Sequence, residues 1–214
     1  MKLALLVGAY KDPNPHRAEE ILYCARKNVS DAHFDKVVFF LENARDEYEA
    51  IAKYAQTNKG NHPEVVMVHV ARRPNYDDFI SWGNENLSGW IAVLANSDIF
   101  FDGSIKLLKD RNLTGRFLAL TRYDNRGEYR LRRDPRKTQD TWIWTPPVNI
   151  RTGLEMGRPG CDNHLAWLAA RAGLVVSNPS LTIKTYHRHE TGLRRYAERQ
   201  RIRKPYLEVE ASKL

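Results

Sequence analysis

Cysteine is scarce in this sequence of 214 residues, which holds only Cys24 and Cys161. Neither cysteine belongs to a Cys-x-x-Cys pair, so the pattern argues against a zinc site and against a disulfide framework. Because disulfides belong to oxidising compartments, two isolated cysteines favour a reducing compartment, and we expect the protein in the cytoplasm.

Long apolar runs are missing as well. The apolar segment nearest the N-terminus, residues 3–7, is too short to span a membrane and lacks a signal-peptide cleavage region, so it predicts a buried first strand. The sequence contains no internal repeat, low-complexity segment or clear linker. With 42% hydrophobic and 28% charged residues it has the composition of a globular protein, and we expect one domain over residues 1–214.

Basic residues outnumber acidic ones, 34 to 26, which gives a formal net charge of +8. Such an excess favours anionic partners, among them nucleotide diphosphates, nucleic acid and acidic membrane surfaces, without choosing between them. The densest basic runs are residues 126–137 and 194–204. They form either solvated surface or a surface that attracts an anionic acceptor, such as DNA, a phosphorylated glycan or the membrane face.

Apolar runs of strand length alternate with helical patterns along the chain. The patterns predict strands at residues 2–7, 36–41, 64–70, 90–95, 117–122 and 141–144, and the start of another at 175–176. They predict helices at residues 16–28, from a cap at Asn43 to a stop at Gly60, at 76–88, and at 162–172 before Gly173. Continuous apolar strands separated by helices predict an α/β domain with a mostly parallel central sheet flanked by helices.

Ligands bind beyond the carboxyl ends of the strands in such sheets, which directs attention to residues 8–11 and 96–102. The predicted fourth strand runs straight into polar residues. In an extended chain the side chains of Asn96 and Asp98 point the same way, so they can hold a hard divalent cation together with phosphate oxygens. The alternative is a turn or helix-cap role, which we favour for Asp102 because Gly-Ser-Ile follows it.

The triplet Asn96-Ser97-Asp98 resembles a variant of the Asp-x-Asp motif of GT-A glycosyltransferases, with asparagine in the first position. Four further polar or aromatic segments follow in order at residues 139–144, 157–163, 178–180 and 187–189. Together with the triplet, these segments resemble a group of small bacterial and viral glycosyltransferase domains over residues 90–196.

This resemblance implies a single GT-A-like, Rossmann-related domain. Residues 1–102 would bind the nucleotide sugar, and residues 103–214 would form the acceptor-binding half with a basic C-terminal tail. The implied enzyme is a hexosyltransferase or related transferase, with Mn²⁺ or Mg²⁺ as cofactor and a UDP-sugar as the expected donor. The acceptor hydroxyl would belong to a glycan, a protein-linked glycan or a modified nucleic acid. The implied location is cytoplasmic, peripheral to a membrane or, for a viral protein, in the host cytoplasm.

The same resemblance assigns site residues. Asp98, the last residue of the motif, would contact the metal, and one of His187 and His189 would complete the metal site, without a choice between the two. Asp162 or Asp140 would face the acceptor hydroxyl and, in an inverting reaction, would take its proton as general base. Asp162 has a second interpretation as the N-cap of the predicted helix that it begins.

Residues at two other predicted strand ends are candidates for binding the nucleotide. Gly8, Ala9 and Tyr10 follow the first strand, where glycine permits close backbone approach and Tyr10 can stack on the base, although a plain turn explains the segment equally well. Arg72 and Arg73 follow the third strand and either reach the nucleotide or its diphosphate or remain solvated.

Trp142 and Trp144 alternate with Ile143 in a predicted strand. Alternation places both indoles on one side of the strand, opposite Ile143. They serve either as a platform for a sugar ring or as part of the core.

Two other functions compete with glycosyl transfer. A sugar-nucleotide nucleotidyltransferase would need a phosphate loop rich in glycine and lysine near the N-terminus, which residues 8–11 do not supply. A non-enzymatic basic module that binds nucleic acid would explain the charge but not carboxylates at the ends of buried strands, so we do not expect nucleic acid as the partner of the basic tail.

Overall fold

The computed structural model describes residues 1–58, 60–125, 127–193 and 196–214. Lys59, Arg126, Arg194 and Arg195 lie outside the described residues, so the sequence predictions for the two basic runs are followed only in part.

Strands and helices alternate through the first half of the chain, as predicted. The strands are β1 (Lys2–Ala9), β2 (Lys36–Leu41), β3 (Glu64–His69), β4 (Trp90–Ala95), β5 (Ile99–Phe101), β6 (Arg116–Leu120), β7 (Tyr123–Asn125), β8 (Tyr129–Leu131), β9 (Thr141–Trp144), β10 (Val175–Ser177) and β11 (Thr185–His187). The α-helices are α1 (Pro15–Ser30), α2 (Arg45–Thr57), α3 (Tyr76–Asn86) and α4 (Cys161–Arg171). Short 3₁₀ helices cover Gly103–Asp110, Pro135–Lys137 and Glu198–Gln200.

The main sheet has the strand order β10-β6-β9-β4-β1-β2-β3, and β9 runs antiparallel to both of its neighbours while the other pairs are parallel. The mostly parallel sheet predicted from the sequence is therefore confirmed. Because β9 is reversed, its first residue, Thr141, pairs with Ala95, the last residue of β4. The start of β9 thus lies at the same edge of the sheet as the carboxyl ends of β1 and β4.

Hydrophobic clusters cover both faces of this sheet, which explains why its strands read as continuous apolar runs. Along β1, Leu3 and Leu5 belong to the cluster that packs under α1 and α2, and Ala4 and Leu6 belong to the cluster under α3 and α4.

The two tryptophans of β9 lie in the second of these clusters. Trp142 and Trp144 are each 0% exposed. A sugar ring cannot stack on a side chain that is fully buried, so of the two interpretations left open for these indoles the structure supports the core role.

Three helix starts test the predicted caps. Asn43 does not cap α2, because its side-chain oxygen accepts the Lys11 N–H at 2.8 Å and α2 begins at Arg45. Asp162 does not cap α4 either, since Gly160 occupies that position. The cap predicted at Asp102 is confirmed: its carboxylate accepts the Ser104 N–H at 2.9 Å.

A second, four-stranded sheet has the order β5-β11-β7-β8 and lies beside the carboxyl edge of β4. The tail also returns to the domain: the Leu207 N–H donates to the Asn163 carbonyl and the Ser212 N–H to the Asn178 carbonyl. Within the described ranges, none of the α-helices has both the length and the apolar character that crossing a bilayer requires.

Candidate active site

A cleft of about 430 Å³ opens at the carboxyl edge of the main sheet. The structure brings almost every site residue predicted from the sequence into its walls: Gly8, Ala9, Tyr10, Asn96, Ser97, Asp98, Asp140, Asp162, His187 and His189. Arg72 is the exception. Its guanidinium pairs with Asp78 at 2.8 Å, and the neighbouring Arg73 lines the cleft.

Asp98 meets the two late histidines because β11 pairs with β5. In that pairing Ile99 lies opposite His187, and the Arg188 N–H donates to the Asp98 carbonyl at 2.9 Å. Oδ2 of Asp98 lies 3.1 Å from Nε2 of His187 and 3.6 Å from Nδ1 of His189. One potential ligand atom from each of the three residues lies within 4.8 Å of the others.

This donor set fits a divalent cation. One carboxylate oxygen and two imidazole nitrogens suit Mn²⁺ and similar ions. Nδ1 of His187 is held by Asp124 at 3.1 Å, the carboxylate–histidine arrangement that orients metal-binding imidazoles. Nε2 of His189 is buried and has no hydrogen-bond partner among the described residues.

Arg17, in the first turn of α1, is a member of this site that the sequence analysis missed. Its guanidinium lies 2.5 Å from Oδ2 of Asp98 and 2.9 Å from Glu20, and the residue is only 7% exposed. Asn14 caps α1 by accepting the Arg17 N–H at 3.0 Å, which places Arg17 at the helix end nearest the cleft. A cation in a first helical turn opposes the helix dipole, so its position was a usable signal for an acidic partner.

Charges on the walls control the ionisation of this cluster. Burial would raise the pKa of Asp98, but the facing charges of His187 and Arg17 outweigh it and hold that pKa well below its usual range. Burial would lower the pKa of His187, but Asp98 and Asp124 outweigh it and raise that pKa to about 9. A divalent cation on the same imidazole would therefore displace a proton.

The two predicted acceptor-side carboxylates differ in their surroundings. Asp140 is 4% exposed, and both of its oxygens accept from the Arg122 guanidinium at 2.8 Å. One of these oxygens also accepts from the Asn96 amide at 2.9 Å. Asp140 is thus paired with Arg122, and it fixes the side chain of Asn96.

Asp162, the second residue of α4, has no arginine partner of this kind among the described residues. Its carboxylate accepts from the Cys161 thiol at 3.1 Å. Burial and the nearby charge of Asp140 raise the pKa of Asp162 to about 7. A carboxylate with that pKa, lining the cleft, suits proton transfer near neutral pH.

Tyr10 and Arg73 also line the cleft. The Arg73 guanidinium lies 5.5 Å from the ring centroid of Tyr10 and 5.1 Å from that of Tyr196, and it donates to the Tyr196 hydroxyl at 2.7 Å. Ser97 donates to the Gly8 carbonyl at 2.6 Å and so joins the ends of β4 and β1. A Cβ at Gly8 would meet no atom closer than 3.7 Å, so the protein itself does not require glycine there.

The turn before Asp162 does require glycine. Gly160 has φ +83°, and a Cβ there would lie 2.6 Å from the Tyr206 hydroxyl and 3.1 Å from the Ile202 carbonyl oxygen. Gly173, just beyond the other end of α4, has φ +84° and open space around it.

Gly160→Ala is expected to lower the free energy of unfolding by about 3 kcal/mol, and Gly173→Ala by about 1 kcal/mol, because only the first adds a clash to the backbone strain. Urea denaturation of both variants measures the difference. Equal losses at the two glycines would show that the Tyr206 contact is not what fixes this turn.

No protein-family model matches the sequence, and no curated protein sequence is significantly similar to it. Solved structures do resemble it. The mannosyltransferase PcManGT from Pyrobaculum calidifontis, in complex with GDP-Man and Mn²⁺, matches with a TM-score of 0.54 at 12% identity, over 87% of this chain and 56% of that one. TarS from S. aureus matches with a TM-score of 0.58 at 14% identity, over 88% of this chain and 37% of that one.

A putative glucose-1-phosphate thymidylyltransferase from Bacillus anthracis matches with a TM-score of 0.52 at 9% identity, over 86% of this chain and 88% of that one. The chain thus spans less than two thirds of PcManGT and of TarS, and most of the thymidylyltransferase. At these identities the likeness concerns the fold. The chain has a GT-A-like, Rossmann-related α/β fold, as the sequence predicted.

Proposed function

We propose that this protein is a metal-dependent glycosyltransferase that moves a sugar from a nucleotide-diphosphate sugar to an acceptor hydroxyl. The observation that carries the proposal is the convergence of Asp98, His187 and His189 in a cleft that the carboxylate of Asp162 also lines. The fold is shared with PcManGT, which was solved with GDP-Man and Mn²⁺, and with TarS, which was solved with UDP-GlcNAc.

On the donor side, Gly8, Ala9 and Tyr10 receive the nucleotide, with the Tyr10 ring as a stacking surface. The sequence offers both Arg72 and Arg73 for the nucleotide or its diphosphate, and we assign this role to Arg73 because it lies in the cleft wall. Residues 1–102 supply these groups together with Asn96, Ser97 and Asp98, and a UDP-sugar remains the expected donor.

Asp98, His187 and His189 would hold Mn²⁺ or Mg²⁺. When bound, this ion would neutralise charge on the diphosphate leaving group. His187 is the stronger candidate of the two histidines, because Asp124 fixes its ring with Nε2 turned toward Asp98.

Acceptor-side groups come from residues 103–214 in this proposal. Asp162 takes the proton of the acceptor hydroxyl in an inverting reaction, while Asp140 and Arg122 hold Asn96 in place. Glycans, protein-linked glycans and modified nucleic acids all offer such a hydroxyl.

A sugar-nucleotide nucleotidyltransferase is the second candidate, favoured by the likeness to the thymidylyltransferase over 88% of that chain. Such an enzyme binds a nucleoside triphosphate and a sugar phosphate. The segment after β1, residues 8–11, offers one glycine and one lysine for a triphosphate, which is why we rank this function below glycosyl transfer.

Thermal shift with nucleoside diphosphates tests the proposal. Wild-type protein is expected to melt at a higher temperature with UDP or GDP and Mn²⁺ together, and to gain little from either alone, because ligands that bind the native state stabilise it by mass action. His187→Ala is expected to weaken Mn²⁺-assisted binding by 10-fold or more and His189→Ala by less.

His69→Ala removes an exposed histidine at the end of β3 and is the matched control. Wild-type Mn²⁺ dependence in both site variants would remove the histidines from the metal site. Stabilisation by a nucleoside triphosphate with a sugar 1-phosphate, but not by the diphosphates, would favour the nucleotidyltransferase.

A further inference from the structure

Three cationic or metal-binding groups compete for one oxygen. Oδ2 of Asp98 lies 2.5 Å from the Arg17 guanidinium, 3.1 Å from Nε2 of His187 and 3.6 Å from Nδ1 of His189. A divalent ion bound by Asp98, His187 and His189 would lie about 2.0–2.3 Å from each ligand atom. It would then stand next to a guanidinium that already occupies the same oxygen.

Protein groups surround Arg17 on every side except the cleft. The residue is 7% exposed, and its second carboxylate partner, Glu20, is 6% exposed. Glu20 is itself fixed, because it accepts the N–H groups of Glu190 and Thr191 at 2.7 Å and the Thr191 hydroxyl at 3.0 Å. Arg17 also donates to the Arg188 carbonyl at 3.3 Å, so it contacts the segment that carries the histidines.

The open direction for the guanidinium is the cleft, whose wall Arg17 helps to form. A diphosphate in that cleft offers the oxygens that a guanidinium binds best. If a metal ion takes Asp98 and a diphosphate enters the cleft, Arg17 exchanges one anionic partner for another and is never left unpaired.

We propose that Arg17 is an exchangeable internal cation: it holds Asp98 before metal binds, and it passes to the diphosphate of the donor when a divalent cation takes Asp98. Metal and diphosphate then bind cooperatively through Arg17, and neither binds strongly alone. The identity of the diphosphate rests on the proposed function. The competition between Arg17 and a metal ion for Asp98 is independent of that function.

The test is the affinity for Mn²⁺ alone and with UDP or GDP, measured by calorimetry or by electron paramagnetic resonance. Arg17→Gln is expected to bind Mn²⁺ alone at least 10-fold more tightly than wild type, because the competing charge is gone. The factor by which the diphosphate tightens Mn²⁺ binding is expected to fall at least 10-fold, because Arg17 no longer couples the two ligands.

Two variants serve as controls. Arg26→Gln removes an exposed arginine of the same helix, paired with Glu19, and is expected to match wild type. Arg17→Gln with Glu20→Gln removes the buried carboxylate that the single variant leaves without its cation, so it supplies a folded protein if Arg17→Gln alone does not fold.

Mn²⁺ affinity equal to or below wild type in a folded Arg17 variant overturns the inference, and so does an unchanged coupling factor. These outcomes differ from failure of the proposed function. If wild type binds UDP and GDP no better with Mn²⁺ than without it, the proposed metal-dependent transfer is wrong. In that case, tighter Mn²⁺ binding by Arg17→Gln would still support the competition between Arg17 and metal for Asp98. No Mn²⁺ binding by Arg17→Gln would overturn that competition.

Discussion

Replacing Asp162 with asparagine is expected to slow sugar transfer by about 100-fold or more while donor binding stays near wild type. Asparagine keeps the size of the side chain but cannot accept a proton near neutral pH. Because Gly160 and not Asp162 occupies the cap position of α4, the substitution removes no capping bond. The variant should therefore fold normally and lose the chemical step alone.

The pH dependence of the transfer rate is a second test of Asp162 as the general base. Burial and the charge of Asp140 raise the pKa of Asp162 to about 7, and a general base must be ionised, so the wild-type rate should rise with pH through about 7 and then level off. Asp162→Asn should lack this rise.

Stability should follow the opposite course. The folded protein keeps the Asp162 proton at pH values where the unfolded chain, with its carboxyl pKa of 3.8, has already lost it. The contribution of Asp162 to stability is thus present below pH 4 and is lost as the pH rises to about 7. Asp162→Asn should remove this loss, which denaturant titrations at pH 4 and pH 8 can measure.

Asp140→Asn is the matched control for the rate, because Asp140 lines the same cleft but both of its oxygens are held by the Arg122 guanidinium. It should alter the position of Asn96 more than the proton transfer. Transfer that survives in Asp162→Asn and is lost in Asp140→Asn would assign the base to Asp140. Single-turnover hydrolysis of the donor provides the assay until the acceptor is known.

Most of the main sheet was predictable because hydrophobic clusters cover both of its faces. Each of β1 to β4 contains an uninterrupted apolar run of four to six residues, long enough to be recognised, and the predicted bounds differ from the observed ones by two residues or fewer. The strands of the small sheet are three residues each, which is too short for a hydrophobic pattern, so the sequence alone does not establish them.

The same difference explains which site residues were found. Asp98, Asp140 and Asp162 lie at the ends of recognisable elements, so their polar character stood out. Asp124 reaches His187 only through the pairing of β7 with β11, which no local pattern shows. Arg17 was missed because one arginine on an amphipathic helix is ordinarily solvated. Its place in the first helical turn indicates an acidic partner, but only the tertiary structure identifies that partner as Asp98.

Removing the Asp98 carboxylate should have the largest effect on ligand binding. In Asp98→Asn, Mn²⁺-dependent binding of UDP or GDP is expected to weaken by 100-fold or more, because a neutral amide replaces the anionic ligand that His187, His189 and Arg17 face. Calorimetry with and without Mn²⁺ measures this loss.

The structure adds a cost in stability that the motif alone does not predict. Arg17 and Asp98 form an ion pair whose side chains are only 8% and 10% exposed. Breaking a buried pair by removing one partner leaves an uncompensated charge, which costs about 3–5 kcal/mol. Glu20 remains beside Arg17, so we expect a smaller loss of about 2 kcal/mol for Asp98→Asn.

The double variant Arg17→Gln with Asp98→Asn separates the two effects of losing Asp98. It contains neither charge of the pair, so it should recover part of the stability that Asp98→Asn loses, although Glu20 then lacks its cation. It should not recover Mn²⁺-dependent nucleotide binding, since the metal-binding carboxylate is still absent. If the double variant recovers Mn²⁺-dependent nucleotide binding, the loss in Asp98→Asn came only from leaving Arg17 without its partner. Asp98 would then be the counterion of Arg17 and not a metal ligand.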